Sequence, residues 1–285
     1  MPSKCRMFTQ LISFIRNKFH PLFQLRQASF YPILAKLLDH SVFVRIPNVS
    51  FPVSVKLLRD FSWVIRTDNA EPETCGMFKK LNTIFKPGIF FDIGANIGFY
   101  TWFLYSLNNQ MKCYCFEPDP TNFKLIQKTI KRNRIRGVSI INSAVSNING
   151  SGDFYQDKFS GATGNLVSIS SVSEPWTIQY AYNSKENISV NTITLDSYIA
   201  NEGFIPDLVK IDAEGAEKLI VDGAIKLISN SNTIFLIECC RDREYIFNLF
   251  TKMSYRIMNV CKFFNKDFED PNYLFVPEHL AGKIV

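Results

Sequence analysis

Histidine is scarce in this chain: there are three, His20, His40 and His279, and none lies near the sequence features that suggest chemistry. The commonest nitrogen ligand and the commonest general base are therefore missing from any candidate site built on those features. None of the seven cysteines has C-x-x-C spacing, which argues against a zinc ribbon, and seven in a chain of this size make no disulfide framework. Cys113 and Cys115 alternate on one strand face and Cys239-Cys240 end another strand, so buried reduced thiols in a cytosolic protein are expected. No apolar run is long enough to cross a bilayer, and no cleavable signal pattern is present; the expected location is cytoplasmic.

What is present is apolar mass. The chain has 285 residues, 46% of them hydrophobic and 14% aromatic, which supplies a sizeable core and excludes a wholly disordered protein. The net charge of +6 is unevenly placed. Between residues 1 and 40, six bases (Lys4, Arg6, Arg16, Lys18, Arg26 and Lys36) stand against Asp39 alone, so +5 of it lies there. In the same stretch Phe8, Leu11, Ile12, Ile15 and Phe19 recur at three- and four-residue spacing, an amphipathic basic helix pattern. Such a helix either rests on an anionic membrane surface, making the protein peripheral to the inner face of a membrane, or packs onto the main domain. A second basic run, Lys124, Lys128, Lys131, Arg132, Arg134 and Arg136, has no aromatics interleaved, so a solvated face is expected and nucleic acid is not.

The chain is organised around Ile89-Phe90-Phe91-Asp92-Ile93-Gly94-Ala95-Asn96-Ile97-Gly98-Phe99-Tyr100-Thr101. A short apolar run after Pro87-Gly88 reads as a buried parallel strand, a glycine-bearing turn follows, and a helix is expected over 99–107. A strand end, an acid and a helix N-terminus together make a nucleotide-type crevice. The spacing departs from a dinucleotide fingerprint: Asn96 stands at the second glycine position and Phe99 at the third, so less backbone is open to a pyrophosphate.

Strand and helix then alternate. A second strand over 111–116 ends at Glu117-Pro118, with Glu117 lying 23 residues beyond Gly94, the register of a ribose-binding carboxylate. A helix over 121–134 and a third strand over 138–142 follow, running into Ser143-Ala144-Val145-Ser146 and then Asn149-Gly150, a hairpin turn signal. The Ser/Gly/Asn-rich stretch 150–192 is too long for an ordinary connection and reads as a β-rich insertion or lid. A fourth buried strand ends at Asp212, a helix runs from about 217 to 227, and a fifth strand over 233–237 ends at Glu238. Acids at successive strand ends predict an α/β fold: a doubly wound, mostly parallel, Rossmann-like sheet with an antiparallel C-terminal strand. Residues 1–85 are expected to form an N-terminal α/β extension, and 86–285 the main domain.

Five segments appear in order: Phe91 to Thr101 as quoted, Phe116-Glu117-Pro118, Ala144-Val145-Ser146, Thr194-Leu195-Asp196, and Lys210-Ile211-Asp212-Ala213-Glu214-Gly215-Ala216-Glu217. Together they resemble the FkbM-type methyltransferases, whose fold is similar to that of class I S-adenosylmethionine enzymes; the resemblance covers about half the chain, from Pro87 to Glu238. It implies S-adenosylmethionine as cofactor, with Asp92, Gly94, Asn96 and Gly98 lining its methionine end and Ala95, Tyr100 and Thr101 beside them. Glu117, with Pro118, would take the ribose hydroxyls, Ser143, Ala144 and Val145 would border the adenine, and Asp212, Glu214 and Gly215 would face the sulfonium methyl. Ala213 stands where the family usually has Val.

Methyl transfer from a sulfonium is an in-line displacement, so such an enzyme mainly positions donor and acceptor. A neutral hydroxyl is a poor nucleophile and needs a base, for which Asp212, Glu214 and Glu238 are the candidates. Paired carboxylates there can raise one another's pKa or hold a divalent ion through oxygens; the ion is disfavoured because no histidine is near. The opposing reading of Glu214 and Glu217 is structural: acids in a first helical turn bond free N–H groups. The expected reaction is O-methylation of a glycan, glycolipid or polyketide-like acceptor. The rivals are a nicotinamide-dependent oxidoreductase, since Glu117 suits any ribose, and a non-catalytic module that keeps the fold for binding.

Overall fold

The structure, a computed structural model, describes residues 30–157, 164–166 and 185–284. The basic pattern between Phe8 and Phe19 lies outside the described residues, as does much of the expected insertion. The described chain opens with α1 (Tyr31–Leu38), an antiparallel pair β1 (Ser41–Val44) and β2 (Val53–Lys56), a short α2 (Phe61–Val64) and α3 (Pro72–Phe85). The alternation begins with β3 (Ile89–Ile93), α4 (Phe99–Leu107), β4 (Lys112–Phe116), α5 (Pro120–Asn133) and β5 (Val138–Ile141). Next come β6 (Ala144–Val145), β7 (Gly150–Asp157), β8 (Asn165–Leu166), β9 (Lys185–Ile193) and α6 (Leu195–Glu202). Then follow β10 (Leu208–Ile211), α7 (Glu217–Asp222), α8 (Ile225–Asn230) and β11 (Ile234–Glu238). The chain closes with α9 (Arg243–Lys252), β12 (Tyr255–Asn259), α10 (Val260–Phe263), β13 (Asn272–Pro277) and α11 (Glu278–Ala281).

Seven strands form one sheet in the order β12-β13-β11-β10-β3-β4-β5, and every pairing is parallel except those of β13 with its two neighbours. This is the doubly wound, mostly parallel sheet with an antiparallel C-terminal strand that the strand-end pattern predicts. Both faces are covered, which is why its central strands read as near-continuous apolar runs. Phe90, Cys113, Cys115, Leu208 and Leu236 point into one core with α3, α4 and α5, while Phe91, Phe116, Val209, Ile211 and Phe235 point into the other. Of the cysteines at these and nearby positions, Cys113, Cys115 and Cys239 are buried, whereas Cys240 is exposed.

Two local expectations are corrected. Asn149-Gly150 does not close a hairpin: β6 and β7 are not neighbours, because β9 runs between them, parallel to β6 and antiparallel to β7. The helix expected from 217 to 227 is divided into α7 and α8. The break is capped from outside, since the Asp196 carboxylate accepts the N–H groups of Lys226 and Leu227 at 2.9 Å each. Gly223 sits at that break with the Ser146 carbonyl oxygen 2.1 Å from where a Cβ would stand.

The strand ends are laced to one another. Gly94 and Ala95 donate to the Phe116 carbonyl at 3.1 and 3.2 Å, Glu117 to that of Ile141 at 3.0 Å, and Asp212 to that of Ile93 at 3.0 Å. The carboxyl ends of β3, β4, β5 and β10 are thereby held as one rim.

Candidate active site

The loop after β3 is shaped by what lies against it. Gly94 has φ +74° and a Cβ there would fall 1.9 Å from the Asp212 carbonyl oxygen. Gly98 has φ +84°, and a Cβ would press on the Trp102 indole at 2.7 Å. Both are positions only glycine fills without rearrangement. Asn96, at φ 53°, takes the left-handed conformation that asparagine tolerates better than most residues. Asp92 turns back into the fold: its carboxylate accepts from Thr101 N at 3.1 Å and Thr101 Oγ1 at 2.7 Å, so it ties down the first turn of α4. Burial pushes its pKa up to about 6 despite those two bonds.

A cavity of about 320 Å³ opens over this rim, lined by the ends of β3, β4, β10 and β11 together with β6 and the β7–β8 strands. Glu117 forms one end. It is buried, its Oε2 accepts from Asn96 N at 2.7 Å and its Oε1 from Asp119 N at 2.8 Å. The Asn122 side chain adds a third hydrogen bond, and a carboxylate with about four lone-pair sites keeps acceptor capacity for a ribose hydroxyl. Burial and then the neighbouring Asp119 charge raise its pKa to about 8. Asp119 caps α5 by accepting from Thr121 N and Asn122 N at 2.6 and 3.2 Å. Beside Glu117 the wall is apolar, made of Phe116, Ala144, Val145, Phe154, Leu166 and Ile220.

The other end is acidic. Asp212, Glu214, Glu238 and Glu71 all line the cavity. Beneath them Lys210 is fully buried, its Nζ 3.4 Å from Asp212 Oδ2 and 3.2 Å from Asn272 Oδ1, and 5.3 Å from the centre of the Tyr100 ring. Burial alone would lower the lysine pKa, but the carboxylates of Asp212, Glu238 and Glu71 outweigh it and raise it. Asp212 answers in kind: burial works to raise its pKa, while Lys210 and a hydrogen bond with Glu238 hold it below the usual carboxylate range. Glu238 is pushed up to about 9 by burial and by that same bond to Asp212. At neutral pH the pair therefore holds one proton, resident on Glu238, with Asp212 ionised. Glu71 is raised by burial and accepts the Tyr100 hydroxyl hydrogen bond.

The three residues expected to supply a base, Asp212, Glu214 and Glu238, come together on the cavity. Of the expected cofactor contacts, Gly94, Ala95, Asn96, Tyr100, Glu117, Pro118, Ala144, Val145 and Asp212 line it; Asp92, Gly98, Thr101 and Ser143 do not. Glu217 takes a structural role, though not as a helix cap: its Oε1 accepts from Ala213 N and Gly215 N, in the turn before α7, at 3.1 and 3.0 Å. The Thr194-Leu195-Asp196 segment is also architectural, Thr194 capping α6 through Ser197 N at 3.1 Å. Sequence reasoning missed Trp63, Glu71, Asn122 and Phe154 on the cavity wall, and Lys210 beneath it. Lys210 did leave a signal, a lone charge in the otherwise apolar strand Leu208-Val209-Lys210-Ile211. Glu71 left none, since an acid before proline at a helix start reads as a cap. Among the described residues, no group of three or more His, Cys, Asp or Glu is placed to hold a metal ion.

The family model described as "Methyltransferase FkbM domain" matches residues 92–264. No curated protein matches the chain. Among solved structures, a methyltransferase FkbM from Methylobacillus flagellatus KT is 16% identical with a TM-score of 0.44, over 66% of this chain and 43% of that one. The chain thus spans less than half the length of that protein. A precorrin-6y C5,15-methyltransferase from Geobacter metallireducens GS-15 is 12% identical with a TM-score of 0.42, over 81% of this chain and 97% of that one. A methyltransferase from Geobacter sulfurreducens is 10% identical with a TM-score of 0.41, over 88% and 97%.

Proposed function

The chain belongs to the FkbM methyltransferase family, and on that premise we propose that it methylates a hydroxyl of a glycan, glycolipid or polyketide-like acceptor from S-adenosylmethionine. The observation that carries this reading is the convergence of Glu117 and Asp212, from the ends of β4 and β10, on one cavity. When bound, S-adenosylmethionine supplies an already activated sulfonium methyl. The donor set suits it. Glu117 offers two carboxylate oxygens to a ribose diol, the apolar wall of Ala144, Val145, Phe154 and Leu166 suits a purine, and the acids at the far end suit an ammonium and a sulfonium.

Six carboxylate residues line the cavity (Glu71, Glu117, Asp119, Asp212, Glu214 and Glu238), and among the described residues no lysine or arginine does. That balance favours a cationic cofactor beside a neutral hydroxylated acceptor and disfavours a phosphorylated or carboxylated one. Asp212, kept ionised by Lys210, is the group that receives the acceptor hydroxyl's proton. Glu238 carries the pair's resident proton and holds Asp212 by their hydrogen bond. Lys210 balances the Asp212 charge until the proton moves.

The test is release of S-adenosylhomocysteine over a panel of neutral polyols, glycosides and hydroxylated macrolides. The wild-type protein turns over at least one class, and Asp212→Asn lowers that turnover by about a hundredfold or more while leaving cofactor affinity within a few-fold. Cofactor binding without turnover across the panel would leave a binding module and remove the enzyme.

A further inference from the structure

Around α1 and β1 the surface carries exposed apolar side chains that the fold does not use. In α1, Phe30 just before the helix, Ile33 and Leu37 recur at three- and four-residue spacing and are 54%, 65% and 73% exposed, while Tyr31 from the opposite side is buried. A helix in contact with water alone does not present its aliphatic face outward. Two residues after α1 the chain enters β1, where Phe43 is again exposed.

A second observation comes from a different part of the sequence. Between Pro120 and Gly137 there are six basic residues and no acid: Lys124, Lys128, Lys131, Arg132, Arg134 and Arg136. All six are exposed, and none forms an ion pair with another described residue. This strip is fastened to the apolar face: Lys128 Nζ donates to Ser41 Oγ at 2.7 Å and the Arg132 guanidinium lies 5.2 Å from the centre of the Phe43 ring. The charge therefore borders Ser41 and Phe43 of β1, the strand that follows α1 after two residues. Five further bases and no acid lie in residues 1–29, directly before α1.

We propose that the face formed by α1, β1 and α5 docks on an anionic lipid bilayer, with Phe30, Ile33 and Leu37 entering the headgroup–acyl boundary and the α5 bases lying over the lipid phosphates. An exposed aliphatic ridge beside a basic strip with no ion pair among the described residues is what an anionic bilayer complements, one component for the acyl region and one for the surface potential. A nucleic acid would use the bases but gives no partner to Ile33 and Leu37, and no aromatic is interleaved with the strip for base stacking. A second copy of the chain would bring a like-charged strip against this one. The inference stands independently of the catalytic reading, since none of these residues lines the cavity.

The experiment is co-sedimentation of the full chain with vesicles of phosphatidylcholine alone or with about 30% phosphatidylserine. The protein should pellet with the anionic vesicles at about 0.1 M salt, stay in solution with the neutral ones, and be released by raising the salt severalfold. Two surface variants, Ile33→Glu/Leu37→Glu and Lys124→Glu/Lys131→Glu, should each lower the partition coefficient about tenfold or more with unchanged circular dichroism and melting temperature. Unchanged binding in both variants would assign the affinity to residues 1–29 and overturn the proposal. So would three other results: a dimer by light scattering that Ile33→Glu/Leu37→Glu turns into a monomer, a fall in melting temperature in that variant, which would mean that the chain itself covers the ridge, or tighter binding to an oligonucleotide than to the anionic vesicles.

Discussion

The carbonyl oxygen of Asp212 stands 1.9 Å from the point that a Cβ on Gly94 would occupy, so the loop after β3 and the end of β10 meet backbone to backbone. The two halves of the site, nucleotide loop and acid pair, are thus spaced by that one missing side chain. Gly94→Ala should separate them. A left-handed φ costs an alanine on the order of 1 kcal/mol, and the clash with a backbone atom in a laced rim adds more. The expected loss is about 3 kcal/mol or more, a fall in Tm on the order of 10 °C by calorimetry. A variant that melts with the wild type would mean that the two loops are not in contact.

Glu117 titrates in a useful range. Its pKa of about 8 in the free protein lies above the ordinary carboxylate value, so at neutral pH the empty site holds a proton there. A ribose diol and a sulfonium favour the ionised form, so binding of S-adenosylmethionine should release that proton. Affinity should then rise by up to about tenfold per pH unit below 8 and level off above it. Calorimetry at neutral pH in buffers of different ionisation enthalpy measures the released proton directly, and a heat independent of buffer would contradict the assignment.

The same shift has a sign for stability. A carboxyl whose folded pKa exceeds its unfolded one stabilises the fold fully only while protonated in both states, and that contribution is lost as pH rises from about 4.5 towards 8. Glu117→Gln removes the titration. Its unfolding free energy should gain on the wild type between pH 5 and pH 8, by roughly 2 kcal/mol or more, even as it loses the cofactor. A gap that does not change with pH would mean that Glu117 is not buried as a protonated acid.

Lys210 sets which member of the acid pair is ionised. With Asp212 held below the carboxylate range, the rate at saturating cofactor and acceptor should be flat between about pH 6 and 8 and fall only in acid. Lys210→Met removes the charge that holds Asp212 down, so the acid limb should move up by about one unit or more, and the rate at pH 7 should fall with it. A limb that stays in place would reduce Lys210 to a structural role. A wild-type rate that climbs to a midpoint near 9 would make Glu238 the proton acceptor.

Much of this architecture was legible because the sheet is buried on both faces. Runs such as Phe90-Phe91 and Val209-Ile211 can be little else than central parallel strands, and an acid or glycine ending each run marks the rim. Glu117 was readable for the same reason: its distance from Gly94 is fixed by one helix and one strand. What could not be read is where a side chain turns. Asp92 lies within β3, level with Lys210 of β10, and folds onto Thr101, while Asp212 follows the end of β10 and faces the cavity. That difference depends on the helix each strand feeds, since α4 presents a threonine in its first turn and the chain after β10 does not. The partners that arrive from far away, Glu71 and Trp63 from before β3 and Phe154 from the β7–β9 sheet, reach the site by packing alone and leave no spacing to find. Asn149-Gly150 misled because a hairpin signal says nothing of a third strand, β9, coming between.

The claim on which the rest depends is that the carboxyl ends of β3, β4 and β10 hold one sulfonium nucleoside. Titration of S-adenosylmethionine into the wild-type chain and into Glu117→Ala, followed by calorimetry at pH 8, tests it most directly. One site per chain, weakened by about thirtyfold or more in the variant with the fold intact by circular dichroism, is the predicted result. No binding to the wild-type protein, or equal binding to both, would contradict it.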